Sequence, residues 1–208
     1  MTDKEFIKAI VELYRSSRLT TFSFENVTRC KNRPISGLAE DTLAFYIAHH
    51  IDKKNSIFIE PEVQVELQSK RKMICPDVLI LHPDCSVNQM WDIKMDLGRR
   101  RDSFAQFCND KNKLVNELRG TKATFSGREI IFSEELTFNI VVISDRNISK
   151  KKRKDNIQQT QSIPNVGVFF LTSKLHPNNK EIPTEQLLES IEVTSDFENF
   201  RVTVSNGG

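Results

Sequence analysis

The sequence predicts an α/β protein: a mixed central sheet flanked by helices. Three observations carry this. Short apolar runs of strand length stand at 72–81, 89–95, 138–144 and 166–172. Segments of helical periodicity cover 36–53, 99–119 and 150–161. The resulting order is helix, three strands, helix, strand, helix, strand. A hairpin-rich start followed by a strand–helix–strand crossover implies a mixed sheet covered on both faces.

Each element has a local reason. Phe6, Ile7, Ile10, Val11 and Tyr14 fall at helical spacing, so 3–15 is expected to be a short amphipathic helix. Residues 16–33 are polar and ambiguous. The next helix, 36–53, follows Pro34, with Ser36 as its expected cap and one stripe made by Ile35, Leu38, Ala39, Thr42, Leu43, Tyr46 and Ile47. A first strand is expected over 57–67, where Ile59, Val63, Val65 and Leu67 alternate; Pro61 disfavours a central place for its first half. Residues 72–81 are apolar on both faces, as a central strand requires. Residues 89–95 follow a His82-Pro83-Asp84 turn. The helix over 99–119 ends at Gly120. Residues 121–135 are expected to form a loop or hairpin, and 184–204 a short helix and then a final strand.

Composition narrows the class. A chain of 208 residues accommodates one full-sized domain, or one domain with a small extension. With 38% hydrophobic and 28% charged residues it is globular rather than disordered. No apolar run is long enough to span a bilayer. Met1-Thr2-Asp3-Lys4-Glu5 carries acids where a signal peptide needs basic charge, so a cytoplasmic location without membrane contact is expected. Cys30, Cys75, Cys85 and Cys108 form no C-x-x-C pair and lack histidines at zinc-finger spacing; reduced thiols are expected, with Cys75 a small buried hydrophobe. The formal net charge is only +2, so any nucleic-acid binding must use local clusters. Two exist: Arg99-Arg100-Arg101 and Lys150-Lys151-Lys152-Arg153-Lys154.

The chemistry is concentrated in two apolar strands. One carries Pro76-Asp77; the other carries Asp92-Ile93-Lys94. Charged side chains in such strands are costly unless paired or bound to a metal. Asp92 and Lys94, two apart, point to one face. If the strands pair, Asp77 lies across from Asp92. Two close carboxylates repel, and Mg²⁺ or Mn²⁺ removes that cost by using their oxygens, with the Ile93 carbonyl as a further ligand. An ammonium beside such a site suits phosphodiester hydrolysis.

Pro76-Asp77 followed by Asp92-Ile93-Lys94 resembles the PD-(D/E)xK motif of the restriction-endonuclease-like nuclease superfamily. The elements read from about 36 to 144 are similar to that superfamily's helix–three strands–helix–strand core. The resemblance implies that Asp77 and Asp92 are metal ligands, that Lys94 is catalytic and that Mg²⁺ is the cofactor. It implies DNA as substrate, and a nuclease domain over 34–208 behind an N-terminal helix and extension over 1–33. It also implies an acid on the preceding helix. Glu40 suits this by position beside Leu43 and Ile47, with Glu60 and Glu62 as competitors. Many members carry a glutamine on the following helix, and Gln106 is in place. The branch that adds a tyrosine four residues later is not matched, because Asp110 stands there.

The expected function is therefore a metal-dependent endodeoxyribonuclease of restriction or defence type. Double-strand cutting from a single-site fold usually requires two copies, so a homodimer is expected. Arg99, Arg100, Arg101 and Gln106 are the expected nucleic-acid contacts. A catalytically idle member of the same fold, binding nucleic acid or a protein, is the alternative; a chance motif in an unrelated α/β protein is the third. Trp91 is expected in the core, and the adjacent His49 and His50 at a helix end.

Overall fold

The computed structural model describes residues 1–18, 35–145, 148–173 and 182–206; the side chains at 17, 18 and 99 also lie outside the described set, as do Cys30 and Pro34. The described part is an α/β structure with a mixed sheet. Its elements are α1 (Asp3–Arg18), α2 (Ser36–Ala48), β1 (Ser56–Ile59), β2 (Val63–Leu67), β3 (Lys70–Ile74), β4 (Val78–Leu81), β5 (Ser86–Lys94), a 3-10 helix (Gly98–Asp102) and α3 (Phe104–Leu118). There follow β6 (Lys122–Phe125), β7 (Arg128–Ser144), α4 (Lys150–Gln161), β8 (Val166–Ser173), α5 (Thr184–Ser190), β9 (Glu192–Val193) and α6 (Asp196–Ser205). No helix among the described residues is long and apolar enough to cross a membrane.

The strand order is β1-β4-β5-β7-β6-β2-β3, with β8 beside β7 and β9 beside β8. β4 is antiparallel to both β1 and β5, whereas β5, β7 and β8 run parallel. β7 is the spine. Its first residues pair with β6 and its last with β8, while β5 lines its other side. Ile140, Val141, Val142 and Ile143 are all buried, as a strand covered on both faces requires.

Alternating strand residues feed two cores. On one face Val78, Ile80, Trp91, Ile93, Val141 and Ile143 pack against α1, α2, α5 and α6. On the other, Leu79, Leu81, Met90, Ile140 and Val142 meet Phe104, Cys108, Val115 and Leu118 of α3, with Ile157 of α4 beside them. Trp91 is fully buried, as expected.

Several elements depart from the sequence expectations. The single strand expected over 57–67 is two strands, β1 and β2, placed far apart in the sheet order. Glu60 adopts a left-handed φ of 47° and Pro61 has no N–H, so the ladder cannot continue through them. β1 keeps the edge position. The strand expected over 72–81 is likewise two, β3 and β4, interrupted at Cys75-Pro76-Asp77. β2 and β3 form a hairpin closed by Gln68 and Ser69, at φ 50° and 61°. Two successive positive φ values are the geometry of a two-residue hairpin loop. Cys75 lies outside the strands and is exposed, not buried.

Among the helices, α2 stops at Ala48, and Ile35 rather than Ser36 holds its cap position, without a side-chain hydrogen bond. The segment from 99 is a 3-10 turn before α3 begins at Phe104. The hairpin open as an option over 121–135 is β6 and the start of β7, turning at Ser126-Gly127. The tail ends in α6 after a two-residue strand, not in a strand. Phe197, Phe200 and Val204 at helical spacing bury against Phe6, Tyr46 and Trp91. His49 and His50 sit at the C-terminal end of α2, each ring Nδ1 bonded to a carbonyl of the last turn.

Candidate active site at the end of β5

The register builds the cluster. Val78 faces Trp91 across the β4–β5 ladder, so Asp77, one step beyond β4, falls opposite Asp92. Ile59 faces Val78 across β1–β4, and one step on the Glu60 N–H donates to the Asp77 carbonyl at 2.9 Å. Strand ends thus align Glu60, Asp77 and Asp92. The Asp77 side chain completes the edge: its Oδ2 accepts from the Ile93 N–H at 2.7 Å. Asp77 is therefore oriented by the backbone of the strand that carries Asp92.

Lys94 joins the two carboxylates. Its Nζ lies 2.9 Å from Asp92 Oδ1 and 3.7 Å from Asp77 Oδ2, and donates to the Ile93 carbonyl at 3.2 Å. Three oxygens from Asp77, Asp92 and Ile93 surround one cation. The sequence-predicted trio converges.

Glu40 enters from α2. It is buried, at 7% exposure, and its Oε2 has no hydrogen-bond partner among the described residues. Burial raises its pKa first, and the neighbouring Glu60 and Asp92 charges raise it further, against the pull of Lys94. Glu40 and Glu60 both belong to the electrostatic neighbourhood of the cluster. Glu62 is exposed and makes no contact with the cluster among the described residues.

The two aspartates diverge in acidity. Burial, then the hydrogen bond and charge of Asp92, push Asp77 up to about 7. Burial opposes ionisation of Asp92 too, but the hydrogen bond with Asp77 and the Lys94 and Lys111 ammoniums hold its carboxyl below the usual range. Without a metal the pair behaves as a carboxylic acid beside a carboxylate.

Among the described residues no three His, Cys, Asp or Glu side chains converge closely enough to form a metal site by themselves. The oxygens available are those of Asp77, Asp92 and the Ile93 carbonyl, with the orphaned Glu40 Oε2 nearby. This all-oxygen set, already gathered around an ammonium, fits a hard divalent cation such as Mg²⁺ or Mn²⁺.

Lys111 joins the cluster without having been expected there. It projects from α3, and its Nζ lies 3.8 Å from Asp92 Oδ2, the oxygen opposite the one held by Lys94. The sequence does hold a signal: Phe104, Cys108, Lys111 and Val115 share one helical face, so a lysine stands in an apolar stripe. Gln106 is not brought in. It is on the exposed side of α3, where its amide donates to Asp110 Oδ1 at 2.8 Å.

The arginines divide. Arg100 stacks over the Phe107 ring, 4.6 Å from its centroid. Arg101 is exposed, with its Nε 3.7 Å from Asp102. The side chain of Arg99 lies outside the described residues. In α4, Lys152 pairs with Asp102 at 3.2 Å and Arg153 with Asp145 at 2.8 Å. The Lys152–Asp102 pair ties the start of α4 to the 3-10 helix, as does Asn156, whose Nδ2 donates to the Arg101 carbonyl.

No protein-family model matches this chain, and no curated protein matches it.

Proposed function

We propose that the protein is a metal-dependent deoxyribonuclease of restriction-endonuclease-like fold, acting as a restriction or defence endonuclease. The observation that carries this is the convergence of Asp77, Asp92 and Lys94 on one point at the end of β5. The topology supports it. With the β2–β3 hairpin and β6 taken as insertions, α2, β1, β4, β5, α3 and β7 make a helix–three strands–helix–strand unit. Its second strand is antiparallel to both the first and the third, and its fourth is parallel to the third.

A bound Mg²⁺ or Mn²⁺ would polarise a phosphate and acidify a water. Asp77, Asp92 and the Ile93 carbonyl would hold it. Asp77 must lose its proton to do so, which ties metal affinity to pH. Lys94, adjoining both carboxylates, orients the attacking water or offsets charge on the phosphorus. Glu40 would contribute through a water or a second cation. The test is a panel of supercoiled plasmid, linear duplex, single-stranded DNA and RNA, with Mg²⁺, Mn²⁺ or EDTA. Metal-dependent cleavage of DNA is expected; no cleavage with either metal would overturn the reading. A catalytically idle binding module is the second reading, favoured by the lack of a third converging acid among the described residues.

Glu40→Gln should weaken cleavage less than loss of Asp77, because Glu40 adjoins the trio without an ion pair to Lys94. Higher Mn²⁺ should partly restore it. Titrating the variant with Mn²⁺ checks this; no deficit at any concentration moves the role to Glu60. The Arg99–Arg101 segment should engage phosphates without sequence preference. Changing all three to Gln should weaken binding to all DNA sequences alike in Ca²⁺. It should flatten the salt dependence by roughly one log–log unit for each phosphate no longer neutralised. An unchanged slope would shift this part to the start of α4.

A further inference from the structure

Phe107, half-buried on α3, has three cations around its ring. Arg100 stands 4.6 Å from the centroid, Lys111 5.3 Å and Lys94 5.9 Å. Lys111 also lies 4.1 Å from the centre of the Phe138 ring. Gathering like charges on two aromatic rings is unfavourable unless an anion completes the group.

The carboxylates present do not complete it. Asp77 and Asp92 are both within ion-pair distance of Lys94, and Asp92 is nearest to it at 2.9 Å. Lys111 reaches only Asp92, at 3.8 Å, which is too long for a hydrogen bond. Its ammonium makes no hydrogen bond among the described residues, although it is mostly enclosed. Arg100 has no carboxylate within ion-pair distance among the described residues. Two sets of unsaturated donors therefore lie against one ring, beside the Asp77–Asp92 pair.

We propose that Lys111 and Arg100, both lying against Phe107, form a seat for a backbone phosphate of a polynucleotide, adjoining the carboxylate pair. The phosphate takes hydrogen bonds from Lys111 Nζ and the Arg100 guanidinium, and both cations are positioned by their contact with the Phe107 ring. Its identity as a nucleic-acid phosphate rests on the nuclease reading, but the seat itself requires neither metal nor cleavage.

Binding of a labelled single-stranded oligodeoxynucleotide to the full chain in EDTA tests this, with inorganic phosphate as competitor. The wild type should bind and phosphate should compete. Lys111→Met removes the ammonium from beside Phe107 and Phe138 and leaves an unbranched apolar side chain in its place. It should weaken binding about tenfold and lower the salt slope by about one unit. Lys111→Arg should restore most of the affinity, which a merely structural role would not do. Arg100→Gln, at an exposed position, should weaken binding without lowering the melting temperature, and it keeps the test open if Lys111→Met fails to fold. Wild-type binding in Arg100→Gln, or in folded Lys111→Met, overturns the seat; so does a wild type that binds no oligonucleotide in EDTA. A protein that cuts DNA while those variants bind normally loses the seat and keeps the nuclease reading. One that binds through Lys111 and Arg100 but never cuts loses the nuclease reading and keeps the seat.

Discussion

Asp77→Ala is expected to lower Mg²⁺-dependent plasmid nicking by roughly three orders of magnitude or more. Asp77 has two jobs. One oxygen accepts from the Ile93 N–H, and the carboxylate faces Asp92 and Lys94. Alanine removes both; Asp77→Asn removes the charge and keeps an acceptor for the Ile93 amide. Both variants should be equally inactive if the charge holds the metal, while only alanine leaves a strand amide unpaired. Lys94→Ala should be comparably inactive. Nicking assays beside thermal melts separate these effects. Wild-type cleavage by Asp77→Ala would place the active site elsewhere.

The second large effect is on stability in EDTA. Asp77 has a folded-state pKa of about 7 against an ordinary value of 3.8. Its raised pKa means that the folded state holds the proton more tightly than the unfolded chain. Its contribution is fully present below about pH 4 and is lost as pH rises to about 7. Glu40, also raised, acts in the same direction. Asp92, held low, acts oppositely: its contribution is present above the ordinary carboxylate range and fades in acid. Metal-free protein should therefore lose about 2 kcal/mol between pH 5 and pH 8, discounted for the partial exposure of Asp77. That is roughly 4–8 °C in melting temperature. Asp77→Asn should flatten much of this slope and melt higher than wild type at pH 8. A divalent cation should stabilise the wild type more at pH 8 than at pH 6, because it competes with that proton. Parallel wild-type and Asp77→Asn melting curves across this range would show that the folded protein does not raise the Asp77 carboxyl.

The sequence is most legible where structure is local. Trp91, the helix over 150–161 and the strand from Val166 follow from short-range pattern alone, and the structure has all three. The Asp77–Asp92–Lys94 cluster is legible because it needs only that two strands separated by a short turn become neighbours. Placement of β2 and β3 is not, because pairing β2 with β6 joins segments distant in sequence. Their hairpin hides behind Gln68 and Ser69, which lack the Asn-Gly or Asp-Gly pattern of such loops. The α6 helix reads as a strand because Phe200, Val202 and Val204 alternate, although Phe197, Phe200 and Val204 are the buried set. Lys111 escapes a sequence reading because charge clusters draw attention and single charges in an apolar stripe do not.

The position of β7 has a consequence for the order in which the protein becomes competent during synthesis. Asp77, Asp92 and Lys94 leave the ribosome well before Thr137–Val142, the residues that pair with Gln89–Lys94. Until β7 emerges, β5 has only β4 to pair with, and the apolar faces of Met90 and Ile93 lack their β7 neighbours. Two antiparallel strands alone are marginal in water. Closing the parallel ladder also requires α3 and β6 to be bridged first, a non-local and slow event. The nascent chain thus carries every acid and lysine of the Asp77–Asp92–Lys94 trio while lacking the strand that sets them in place.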